Sequence, residues 1–333
     1  MIRVIFLFSL LLVFQANAFE IPSEHSSLAE RVTADILNCK FDRAVETSNS
    51  ASISEPNNPM AAVLHLVALG MRDVDYDSTI DSQAFLKSFD RAEKTVEKYE
   101  KTNGVSSYSR TLKGFTLAIH ASFHLKNSSY LAAYGTGMDA LKIMDEAREL
   151  DSTNTEVNFF LGLYEFAKGE LKKKLWWVLF WYPGDKHNAV KQLEQCAKNA
   201  RITNTAANLA LSDIYLDQKK PKRTLAIITK LKKTLPHSRF VLWAEAKYLE
   251  DQKQYSDAAL VYGKLADSYA NEPNGFYNSI ITRNKQAHLH NKAGQKQLAI
   301  SICKDILEQR GDKRTRDIMK DTEKLLERLN DNS

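Results

Sequence analysis

Small and apolar residues recur along this chain in triplets offset by four and seven positions. The first is Ala44/Ser48/Ala51, followed by Ala92/Val96/Tyr99, Ala140/Met144/Ala147, Ala189/Leu193/Cys196, Thr224/Ile228/Leu231, Ala258/Tyr262/Leu265 and Ala299/Cys303/Ile306. Those offsets place all three side chains on one face of an α-helix. The triplets start 48, 48, 49, 35, 34 and 41 residues apart, a self-similarity that marks an array of stacked helical units. Between the periodic stretches lie short breaks at 55–59, 101–104, 126–129, 151–154, 182–185, 235–238, 271–275 and 309–312, rich in Asn, Ser, Pro and Gly. Such residues end one helix and cap the next. The pattern predicts an all-α chain of antiparallel helix pairs packed only against their neighbours. An amphipathic helix over 312–330, with charges of both signs outward, closes the array.

Residues 205–270 hold two units in a 34-residue register. Leu211, Tyr215, Thr224, Ile228, Leu231 and Pro236 recur as Glu245, Leu249, Ala258, Tyr262, Leu265 and Ala270. Leu161-Gly162 opens another unit, continued by Ala189, Leu193 and Cys196, and Ala44, Ala51 and Pro56 match the end of an N-terminal one. In these residues the chain resembles the tetratricopeptide repeat superfamily, closely over 153–270 and more loosely over 25–152 and 271–325. The resemblance implies a tetratricopeptide-like helical-repeat solenoid of about seven antiparallel helix pairs. It divides into a region of long units at 19–152 and a more regular region at 153–330. The three intervals near 48 call for elongated helices or extra loop, placed at 73–82 and 122–127. The resemblance also implies a non-catalytic scaffold for a protein or peptide partner, with Leu209, Asp213, Trp243 and Lys247 on the binding face of the first helices.

The N-terminus reads as a secretory signal peptide. Arg3 is followed by an apolar run over 4–14 and by Ala16-Asn17-Ala18, a small-residue cleavage pattern. The run is about half the ~20 residues that span a bilayer, and no cysteine stands at the cleavage site. The expected product is an exported protein, periplasmic or secreted, and not a lipoprotein. A net charge of +5 spread through a chain that is 26% charged speaks for a solvated helical surface and against a nucleic-acid partner. The basic cluster at 219–223 reads as a solvated turn, with Pro221 opening a helix. Cys39, Cys196 and Cys303 form neither a disulfide framework nor a zinc motif. Cys196 and Cys303 fall on the buried rows, and whether any two of the three pair is left open.

One segment breaks the pattern. Residues 172–185 read Lys-Lys-Lys-Leu-Trp-Trp-Val-Leu-Phe-Trp-Tyr-Pro-Gly-Asp, within an insertion at 168–187 between the two helices of one unit. Three readings compete. Trp176, Trp177, Phe180 and Trp181 fold back onto apolar first-helix residues such as Phe159 and Phe166; or they form a docking patch for a partner; or the stretch 172–182 makes peripheral contact with a membrane in an envelope-associated structural protein. Fold-back is favoured, because an exposed patch of this size promotes aggregation. Catalytic signatures are weak. His120 and His124 stand four apart, as zinc ligands on a helix do, but no Glu follows His120. A metal-dependent protein using that pair is the rival from another class, and no cofactor is expected. Asn127-Ser128-Ser129 fits the N-glycosylation pattern, which matters only in a eukaryotic host.

Overall fold

The computed structural model describes residue 19 and residues 21–77, 82–174, 186–309 and 312–331, with side chains left undescribed at 169–174. Seven helix pairs follow one another among them. They are α1 (Ser23–Leu37) with α2 (Phe41–Ser54), α3 (Pro59–Asp75) with α4 (Ser82–Asn103), α5 (Ser107–Lys126) with α6 (Tyr130–Leu150), and α7 (Asn158–Lys174) with α8 (Lys186–Asn199). Then come α9 (Asn204–Asp217) with α10 (Pro221–Thr234), α11 (Arg239–Asp251) with α12 (Tyr255–Ala270), and α13 (Phe276–Lys292) with α14 (Lys296–Leu307). The last helix, α15 (Arg316–Asp331), buries Leu325 and Leu329 against Ala287, Ala299 and Cys303 and closes the array as the sequence predicts.

Local chemistry accounts for the punctuation. The Asn58 side chain accepts from Ala61 N at 3.1 Å, with Pro59 in the first turn of α3; Ser106 and Ser109 cap each other reciprocally at the start of α5. The turns inside five of the pairs share one geometry. Cys39, Ser128, Lys219, Lys253 and Gly294 take left-handed φ values of 59°, 58°, 58°, 59° and 75°. In each turn the next N–H reaches back over the helix end: Lys40 to Asp35, Ser129 to His124, Lys220 to Tyr215, Gln254 to Leu249 and Gln295 to His290, all at 2.8–2.9 Å. This is the Schellman arrangement, which satisfies carbonyls the helix end leaves orphaned.

The triplets lie on the second helices and are buried, except for the partly buried Ala51 and Tyr99. Ala44, Ala92, Ala189, Ala258 and Ala299 have no exposed surface. Small size there lets a first helix approach closely. A Cβ built on Gly162 would stand 2.9 Å from Leu193 Cγ and 3.1 Å from the Ala189 carbonyl, and one on Gly114 2.7 Å from Met144 Cγ. The long spacings near the N-terminus come from elongated helices: α4, α5 and α6 have 22, 20 and 21 residues, and 122–126 belong to α5.

Packing is not confined to neighbours, as the periodicity alone suggested. The array curls until its first two pairs meet its last three. One apolar cluster joins residues of α1–α5 to Leu242, Ala258, Leu265, Tyr269 and Leu289, and Leu37 packs with Leu209, Ile227, Leu231 and Val241. A buried ion pair seals the closure. Arg239, at the start of α11, donates from Nε to Asp75 Oδ2 at 2.9 Å at the end of α3, and both side chains are almost wholly buried. Phe41, Tyr76 and Tyr269 surround the guanidinium at 5.7, 5.4 and 4.7 Å. Tyr269 Oη donates to Asp75 Oδ1 at 3.3 Å, and Asn278 Nδ2 to the Asp75 carbonyl at 2.8 Å. Burial disfavours the Arg239 charge, yet the bond and charge of Asp75 override it and hold the guanidinium above its ordinary value.

Candidate functional site

Curling turns the first helices inward. Leu209 and Trp243, expected on a binding face, are half-buried in the closure. Leu209 packs, as Leu37 does, against the cluster of Leu231, Leu235 and Val241, while Trp243 Nε1 donates to Tyr269 Oη at 3.1 Å and its ring stands edge-on to Tyr262. Asp213 and Lys247 face each other on successive first helices, 2.9 Å apart in a solvent-exposed pair. Phe159, Leu163 and Phe166 pack beside Leu193 and Leu211. The helix α7 runs on to Lys174; Trp176, Trp177, Phe180 and Trp181 lie outside the described residues.

Among the described residues, the three most exposed large apolar side chains stand together at the start of α6, beside the end of α5, the tip of that helix pair. Leu131 is 90% exposed, Tyr134 70%, Tyr130 67% and Leu125 59%. Sequence reasoning passed over this tip, although a signal was present. Residues 127–138 carry no charge, and Leu131, Tyr134 and Met138 repeat at three and four, on the face of the helix away from the buried row of Ala140, Met144 and Ala147. Beside the tip, a groove of about 400 Å³ runs between α5, α6 and α7, floored by Ala118, Ala121, Ala133 and Gly137 and walled by Met138 and Leu163. It continues, past Met138, Leu141 and Tyr164, into a cleft of about 670 Å³ between α6, α7 and α8. Tyr164 Oη reaches Met138 Sδ at 3.4 Å across the junction.

The second half of the cleft is charged. Asp145, Glu146, Glu149 and Glu165 line it with Lys142 and Arg148. Arg148 pairs with Asp145 at 2.5 Å, Arg110 with Glu146 at 3.3 Å and Lys168 with Glu165 at 2.8 Å. The cleft therefore offers a small-residue, apolar floor at one end and carboxylates at the other.

Inside the curl, the first helices α1, α3, α5, α7 and α9 together with Phe19 and Ile21 leave a cavity of about 160 Å³. Glu156 closes one side. Its carboxylate accepts from the backbone N–H of Arg201 at 2.6 Å, of Ile202 at 3.1 Å and of Thr203 at 2.9 Å, capping the approach to α9.

The His120 and His124 rings lie 4.2 Å apart, and His120 also packs on Phe89 at 3.9 Å. His120 Nε2 is buried without a hydrogen-bond partner, and burial, with the His124 charge adding to it, lowers the imidazole to about 4. Among the described residues no three of His, Cys, Asp and Glu converge as a metal group, so the structure brings no third ligand to this pair. All three cysteines are free and buried. Burial pushes the thiols of Cys39 and Cys303 up to about 11 and that of Cys196 to about 12, which makes them poor nucleophiles.

No protein-family model matches the chain, and no curated protein matches it. Among solved structures, the chain is similar to the C-terminal part of a TPR repeat-containing protein from Cytophaga hutchinsonii, with 16% identity over 87% of this chain and 99% of that one and a TM-score of 0.42. It is also similar to human IFIT1, crystallised as a dimer with PPP-AAAA (13% identity, 80% and 68% covered, TM-score 0.39), and to yeast Tom70 (12% identity, 92% and 82% covered, TM-score 0.36). By its own helix pairing, shared turns and buried small-residue contacts, the chain is an all-α array of successive antiparallel helix pairs, the architecture that its resemblance to the tetratricopeptide repeat implies.

Proposed function

We propose that this protein is an exported, non-catalytic interaction scaffold that holds a protein or peptide partner in the cleft between its third and fourth helix pairs. One observation carries the reading: an apolar groove floored by Ala118, Ala121, Ala133 and Gly137, flanked by exposed Leu131 and Tyr134, runs into a carboxylate-lined cleft. The partner this suits is a segment whose apolar residues enter the groove and whose Lys or Arg residues meet Glu149 and its neighbours. Export to the periplasm or beyond rests on the signal-peptide pattern of residues 1–18, and the lack of a cysteine at the cleavage site makes the product unlipidated.

Peptide selection from a random library against the mature chain tests this reading. Selected peptides combining apolar and basic residues, with binding weakened by Met138→Glu and by Glu149→Lys, are the expected result. Peptides without basic residues, or binding indifferent to both substitutions, would overturn it. So would vesicle binding in place of peptide binding, lost on Leu131→Asp, which would mark the tip as a membrane contact. Fractionation of cells carrying the chain with and without residues 1–18 checks export.

A further inference from the structure

We infer that the cavity inside the curl is a binding site for an apolar molecule of about benzene size, either an aromatic ring or the end of a hydrocarbon chain. Its walls come from the first helices of five successive pairs, with Ile36, Met60, Val63, Leu112, Phe115 and Phe160 foremost. The inference stands apart from the cleft reading and does not need it.

Size sets the ligand class. The volume, about 160 Å³, matches the roughly 150 Å³ at which an apolar protein cavity takes up benzene or xenon. Protein interiors pack as densely as organic crystals and leave few spaces that large. The chemistry of the lining sets polarity. Of the polar groups that border the cavity, those of Tyr108, Thr111, Glu156 and Thr203 are engaged within the protein, and Thr33 adds one hydroxyl at its edge. Thr111 Oγ1 donates to the Ser107 carbonyl and accepts from Asn154 Nδ2, both at 2.7 Å. Tyr108 Oη is bonded to His25 Nδ1 at 2.7 Å. Thr203 Oγ1 donates to Glu156 Oε2 at 2.8 Å, whose carboxylate also holds the backbone N–H groups of 201–203. A ligand carboxylate, or a hydroxyl away from Thr33, would find its hydrogen-bond capacity unmatched there, whereas a hydrocarbon loses nothing. Met60 and Met71 add flexible thioether chains that adjust to shape. Phe160 borders both the cavity and the groove beside α6.

The test uses the full mature chain with methyl-labelled Ile, Leu and Val and two probes, benzene and xenon. Saturable shifts confined to the methyls of Ile36, Val63, Leu64, Leu112 and Ile119 are expected, together with a higher melting temperature under benzene. Phenol, which carries a hydroxyl into the same space, should bind about tenfold or more weakly, a difference of about 1.4 kcal/mol. Val63→Phe fills the space, and this variant should melt higher without ligand and show no benzene response. Absence of methyl shifts in the wild-type chain under both probes would overturn the inference without recourse to any variant. An unchanged benzene response in a folded Val63→Phe protein would overturn it too.

Discussion

Removing Asp75 should open the curl. The carboxylate lies 2.9 Å from Arg239 Nε, and both residues are almost wholly buried. Asp75→Ala leaves a guanidinium facing Phe41, Tyr76 and Tyr269 with only the half-buried Glu272 at 3.3 Å to answer its charge. Breaking a buried pair by deleting one partner costs about 3–5 kcal/mol, a large share of the roughly 5–15 kcal/mol that holds a typical domain. Arg239→Met is milder, because it replaces a buried charge by a chain of similar volume and the stranded carboxyl can take up a proton. The double variant Asp75→Ala/Arg239→Met should recover about 2 kcal/mol or more over Asp75→Ala alone. A repeat array need not unfold in one step, so urea melts should be read beside hydrogen exchange. In Asp75→Ala, amides of α1–α3 and α11–α13 should lose protection together while α5–α8 change little. A denaturation loss under about 1 kcal/mol, or protection lost on one side of the closure only, would show that the first and last pairs do not hold each other as argued.

Other predictions concern the units and their histidines. Ala258 has no exposed surface, so Ala258→Leu should overpack α11 against α12 and cost about 1–3 kcal/mol in urea denaturation; an unchanged midpoint would refute the register. Lys253 holds a left-handed φ of 59°, strain worth about 1–2 kcal/mol for a side-chain-bearing residue. Lys253→Gly should therefore be neutral or stabilising by up to about 1 kcal/mol, while Gly294→Ala at the equivalent turn should destabilise. Calorimetric melts that rank the two the other way would refute the shared-turn assignment. Burial lowers His120 to about 4 and also lowers His25 and His65. Unfolded histidines bind protons near 6.5 where the folded ones do not, so stability is full above pH 6.5 and drains away as pH falls toward 4. At about 1.4 kcal/mol per unit, His120 supplies up to about 3 kcal/mol of that loss. His120→Leu should flatten the profile between pH 7 and 4.5, and a slope equal to the wild-type one would remove His120 from the account.

The parts of this protein legible in its sequence are those governed by chain-local physics. The triplet from Ala44 to Ala299 locates every second helix, because a 3.6-residue period needs only neighbouring residues to express itself. Pro59, Ser106 and Pro221 mark helix starts for the same reason, and the amphipathic pattern of 312–330 announces its closing role. The apolar stripe of Leu131, Tyr134 and Met138 was also there to be found. Whether such a stripe is covered depends on how α7 sits beside α6, a spacing that no residue of the stripe encodes. Tertiary structure alone decided the curl. Small rotations between successive pairs add up over the whole array, so Asp75 and Arg239 meet across a sequence separation of 164 residues. That closure half-buries Leu209 and Trp243. It also created the apolar cavity, whose walls are drawn from five units that are each unremarkable alone. Periodicity names which face of a helix is apolar, and only the summed geometry of the stack decides what that face meets.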